Sequence, residues 1–165
     1  MVSGQTHVEG DATWGFDHGT WVVLKYLFPS ADIPVIQLSL DYSRPPMFHY
    51  ELAGALQELR SKGVLIVGSG NVVHNLRQRR SADGKPHSWA LDFDQRIAGY
   101  IRDGDHQAVV DFLKMGPIAT LAHPTYDHFL PLLYTLGVKT ERDEITTFCE
   151  GFQEPSISMR SFVIG

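Results

Sequence analysis

The sequence predicts an α/β fold, an open, mixed or parallel sheet flanked by helices, and three observations carry that expectation. Short β-branched runs alternate along the chain with longer segments of helical period, the pattern of strands joined by crossover helices. The run Val64 to Gly70, VLIVGSG, is apolar without alternation, as suits a strand covered on both faces. The chain has 165 residues, 43% of them hydrophobic and 20% charged. That is enough for one packed core, so a single domain over residues 1–165 is expected.

The elements follow in order. After Gly19 and Thr20, WVVLKYLF reads as a helix stopped by Pro29, and Pro34 to Leu40 as a buried strand. Pro45 and Pro46 open the next helix, where a missing N–H is tolerated. Phe48, Leu52, Ala55, Leu56 and Leu59 form its apolar stripe, and Gly63 ends it. Val64 to Gly70 is the next strand and Arg77 to Pro86 a polar, basic loop. Trp89 to Lys114 reads as one or two helices with a break at Gly104, and Asp127 to Leu136 as a further helix ended by Gly137. Two strands close the chain, Ile145 to Phe148 and Ile157 to Ile164.

Charge and composition exclude several classes. Fourteen Lys plus Arg against nineteen Asp plus Glu leave a formal net charge of −5 with no basic block, so neither nucleic acid nor an anionic membrane is an expected partner. Cys149 is the single cysteine. It excludes a disulfide framework within the chain and points to a reducing compartment, with the thiol as a small buried hydrophobe. The opening residues lack the basic-then-apolar layout of a secretory signal, and no apolar stretch reaches bilayer length, so a cytoplasmic protein is expected. G-x-S-x-G, G-x-x-x-x-G-K-[ST] and C-x-x-C are absent, and GSGN lacks the third glycine of a dinucleotide fingerprint.

The chemistry rests on the eight histidines. Asn71 reads as an N-cap placing His74 in a first helical turn, and Thr125 does the same for His128. Both rings would then sit at the positive end of a helix and stay neutral near pH 7, free to take a proton or bind a metal. The loop after Val64 to Gly70 lies where open α/β sheets collect ligands. The alternative for His74 is local packing in that turn. His123, before Pro124, reads either as lining a pocket or as an ordinary loop histidine, and Asp127 as fixing the His128 tautomer or as a first-turn acid. In Trp14 to Trp21, WGFDHGTW, His18 is enclosed by glycine and aromatic residues. That setting suits close approach to a flat organic substrate or, equally, a tight aromatic-packed turn. His7, His49, His87 and His106 are expected to be structural.

At these residues the chain resembles the LigB-type class III extradiol ring-cleavage dioxygenases, and most closely their 4,5-DOPA extradiol dioxygenase-like branch. The resemblance is carried by WGFDHGTWVVLKYLFPSADIPVIQLSLD, GVLIVGSGNVVHNLR, HPTYDHFLPLLYTLG and SMRSFVIG. It implies a LigB-like fold of which this chain is the C-terminal portion. The family's two N-terminal histidine motifs, of G-H-G-[SA]-P and S-x-H type, do not occur here. It further implies His74 as acid/base catalyst, also a metal-site residue in zinc-bound relatives, and His128 as a metal ligand. His18 would be catalytic and contact substrate hydroxyl and dioxygen, with Trp14 and His123 on the substrate side. The implied cofactor is Fe(II) or Zn(II), with two family ligands missing, and the implied partners are a small aromatic diol and O2. Loss of the first section would expose a sheet edge, so homo-oligomer formation through that edge is expected. A metal-dependent hydrolase on a related scaffold and a noncatalytic binding module are the competing readings.

Overall fold

The computed structural model describes residues 8–165, and His7 lies outside them. The described chain divides into two compact units, the first ending at Asp41 and the second running Tyr42–Gly165.

In the first unit, α1 (His18–Leu27) starts one residue after Asp17, whose carboxylate accepts from the Thr20 N–H at 2.9 Å. Gln37 secures this turn. Its carbonyl oxygen accepts from the Asp17 N–H and the Thr20 hydroxyl, and its amide donates to Asp17 Oδ2 at 3.1 Å. The helix ends at Leu27, and Phe28, the residue before Pro29, is already out of the helical region, as expected before a proline.

In the second unit, α2 (Pro46–Ser61) begins on its prolines, and Gly63 follows with a φ of 81° that favours glycine. α3 (Ser88–Arg102) ends before Gly104, and two short helices follow, α4 (His106–Val110) and α5 (Pro117–Ala122). α6 (Leu130–Gly137) packs on α2 at close range, since a Cβ on Gly137 would stand 2.6 Å from that of Ala53. Phe93, Ile97, Phe112, Phe129, Leu130 and Leu133 fill the core between these helices. The chain closes with β1 (Ile145–Cys149), β2 (Phe152–Glu154), β3 (Ile157–Ser158) and β4 (Ser161–Ile164). β1 pairs with β4 and β2 with β3, both antiparallel.

The α/β class therefore holds, while the sheet differs from the expectation. Residues 34–40 and 64–70 form no helix and belong to no ladder. A parallel ladder needs a second strand in register, and among the described residues none pairs with either segment. Val64, Leu65 and Val67 are consequently exposed. The single strand expected over Ile157 to Ile164 is two strands serving different sheets. Among the described residues no helix is long and apolar enough to cross a membrane.

One ion pair lies deep in the second unit. Arg160 donates from Nε and a terminal nitrogen to both oxygens of Asp94, at 2.7 to 3.1 Å, and Ser158 Oγ donates to the same carboxylate at 2.6 Å. The two side chains are only 11% and 4% exposed. Breaking such a pair strands a buried charge. Arg160→Met is expected to lose about 3 kcal/mol in urea denaturation, with much of the loss recovered when Asp94→Leu is added.

Candidate functional site

Residues 71–75 carry the site, and hydrogen bonds hold them from two sides. On one side the Asn71 N–H donates to the His128 carbonyl at 2.9 Å and the His74 N–H to Ala122 at 3.0 Å. The Asn75 side chain adds a bond to the Leu121 carbonyl at 2.7 Å. On the other side the Ser158 N–H donates to Val73, the Asn75 N–H to Ser156, and the Asn71 side chain to the Ser158 carbonyl at 2.9 Å. Ser156 Oγ returns a bond to the Asn75 carbonyl at 2.7 Å. A bridge between His74 and Ile157 completes the arrangement. The segment behaves as a central strand built from irregular neighbours.

Two glycines let it approach the start of α6. A Cβ on Gly68 would stand 2.6 Å from the Pro131 carbonyl oxygen, and one on Gly70 would collide with the His128 carbonyl. That approach sets the His74 ring on the His128 ring, with centroids 3.6 Å apart and planes 13° from parallel. Both residues are half-buried.

Neither histidine stands in a helix. Asn71 spends its side chain on Ser158, and the turn that follows is a short 3-10 turn at Leu76–Gln78 capped by Asn75. Thr125 caps nothing either, because α6 begins at Leu130, two residues beyond His128. The expected helix-end electrostatics are therefore replaced. Burial pushes the His74 ring below the ordinary imidazole range, His128 adds to the shift, and Asp127 opposes it. Asp127 Oδ2 lies 3.7 Å from His128 Nε2.

His123, expected at a pocket or in an open loop, is in the core at 3% exposure, edge-on to Phe93, Phe112 and Phe129. Its Nε2–H donates to the Val72 carbonyl at 2.8 Å. Burial pushes its pKa down to about 4, and the bond to Val72 opposes that shift. A ligand could reach this ring only by displacing the aromatic residues around it. His18, as first residue of α1, and Trp14 are exposed residues of the first unit. The four histidines set aside on sequence grounds include His49, buried and bonded to Tyr134, His106, bonded to Tyr50, and His87, bonded to the Gln78 carbonyl. His7 lies outside the described residues.

Sequence reasoning missed the supports: Asn75, Ser156, Ser158, and the Asp94–Arg160 pair that holds Ser158. No local pattern marks them, because their partners lie more than 40 residues away along the chain.

The site and fold find a match among known proteins. Residues 5–156 match the LigB family, described as the catalytic LigB subunit of aromatic ring-opening dioxygenase. The 4,5-DOPA dioxygenase extradiol of Escherichia coli K12 is 43% identical over 156 residues, which are 92% of this chain and 57% of that protein. The enzyme of the same name from Beta vulgaris is 36% identical over 86% of this chain and 53% of its own length. A crystal structure of an uncharacterised Escherichia coli K12 protein superposes with a TM-score of 0.82 at 41% identity, covering 90% of this chain and 62% of that one. The chain belongs to the LigB family of extradiol dioxygenase-like proteins. It spans about half the length of the curated relatives it matches.

Membership implies a non-haem metal site. His74 and His128 do not fit one by themselves. The in-plane lone pairs of stacked rings run side by side and do not converge on one ion. Iron and zinc centres of this kind take three protein ligands, and no group of three His, Cys, Asp or Glu among the described residues is arranged to hold a metal.

Two outcomes are expected from this geometry. Gly70→Ala should lose about 2 kcal/mol of stability and should abolish the contact between the two rings in NMR spectra, because the added methyl displaces the His128 carbonyl. The His123 ring stays neutral in the fold down to about pH 4, whereas the unfolded chain protonates it near the ordinary 6.5. The unfolded state binds the extra proton between those values, so stability should fall as pH falls from about 6.5 to about 4. Denaturation midpoints against pH should show a shallower slope in His123→Phe, with the remainder left to His74 and His106, whose pKa values burial also lowers.

Proposed function

We propose that this chain supplies the proton-handling side of an extradiol ring-cleavage site, acting on a small catecholic diol with O2 at a non-haem metal centre. The observation that carries the reading is the His74–His128 pair, half-buried and stacked, with the His74 ring held neutral by burial. A neutral imidazole can accept a phenolic proton near pH 7 and return it later. His128 would be one metal ligand, and the remaining donors would come from outside the described residues. His18, with Trp14 nearby in sequence, would face the substrate hydroxyl. The metal, Fe(II) or Zn(II) by family resemblance, would supply the binding point for the diol, and Fe(II) would supply that for dioxygen as well. Both oxygen atoms would end in the ring-opened product, formed by breaking the ring bond beside the diol.

The same reading includes self-association through residues 64–70, which are apolar, in no helix and in no ladder, and a cytoplasmic setting that suits the free Cys149. Light scattering tests the first of these.

The function is tested by metal analysis together with oxygen uptake on a catechol, after anaerobic loading with Fe(II). One O2 consumed per diol, with a ring-opened product, supports the proposal. Release of an acid from an ester or amide would favour a hydrolase, and neither activity nor metal a binding module. In an active preparation His74→Ala should lower ring cleavage by a factor of about 100 to 10,000 while the circular dichroism spectrum is unchanged. Near-normal turnover would refute the role given to His74.

A further inference from the structure

His123 presents a buried imidazole whose polar atoms are unequally served. Nε2–H donates to the Val72 carbonyl at 2.8 Å, while Nδ1 is buried and has no hydrogen-bond partner among the described residues. A buried acceptor without a partner is destabilising. Phenylalanine would fill the same aromatic surroundings without that penalty, so the reason for an imidazole must lie at Nε2.

The Val72 carbonyl shows what that reason is. Val72 and Val73 are buried, and their carbonyls are served from opposite sides. Val73 receives the Ser158 N–H, and Val72 receives His123. The neighbouring bonds to the His123 side are backbone bonds donated by His74 to the Ala122 carbonyl and by Asn71 to the His128 carbonyl. Between them lies Pro124, which has no N–H to give. The imidazole supplies the donor that the backbone lacks at this point.

We infer that His123 is a positioning residue: its Nε2–H pins the Val72 carbonyl and thereby holds the backbone before His74 in the register that sets the His74 ring on His128. The importance of that register for turnover rests on the function proposed above, but the geometric claim is testable without any activity.

Three readings of the isotope-labelled 165-residue chain test it, all at a single pH near neutrality. In the unsubstituted protein, nitrogen shifts must place the His123 proton on Nε2 and leave Nδ1 bare; the opposite tautomer overturns the inference. His123→Phe preserves the aromatic packing. It should remain folded by circular dichroism, lose the nuclear Overhauser contact between the His74 and His128 rings, and exchange the His74 amide about tenfold faster. His123→Gln carries an N–H at the position of Nε2, and it should restore both signals even if its melting temperature is lower. An unchanged ring contact in His123→Phe overturns the inference, as does failure of His123→Gln to restore what His123→Phe loses. Should His123→Phe fail to fold, the tautomer and His123→Gln still decide the matter. A protein that passes these tests but never consumes oxygen would sink the functional proposal and leave the positioning role standing.

Discussion

The site depends on the two-sided clasp of residues 71–75. An isolated extended segment has nothing to fix its register, and a slip of one residue would turn His74 to the opposite face. Here register is set by bonds from residues 121–128 on one side and from 156–158 on the other. Ser158 is in turn held by Asp94, which is held by Arg160. The glycines at 68 and 70 make the arrangement compact enough for two imidazoles to touch.

Electrostatics follow from this packing. Desolvation, aided by the neighbouring ring, keeps His74 in the base form. The His128 ring disfavours a positive charge on the His74 ring stacked against it, since like charges at this range repel strongly. The chemistry expected of helix ends is thus achieved by burial, a sturdier device because salt screens it less.

Much of the helical framework was legible in the sequence. Prolines at 29, 45 and 46 and glycines at 63 and 104 act through local backbone geometry, and α1, α2 and α3 start or stop beside them. The apolar run at 64–70 has the composition of a strand yet joins no ladder, because a ladder belongs to two segments and only one is written in any run. Asn71 and Thr125 carried the right side chains for caps, yet Asn71 is drawn to Ser158, 87 positions away. His74 and His128 were legible as a candidate pair, whereas their stacking arises from Gly70 against a distant carbonyl. His123 was misread for a like reason: its bond to Val72 spans 51 positions.

The face-to-face arrangement of His74 and His128 has a consequence for how the site can be watched. Each aromatic ring lies in the magnetic shadow of the other, so the protons of both are shielded together. An ion or a diol that engages one ring in its own plane alters the electron density of that ring, and with it the shielding felt by its stacked neighbour. Occupancy at either imidazole would therefore be announced by both, and the pair doubles as an intrinsic gauge of whether anything has entered.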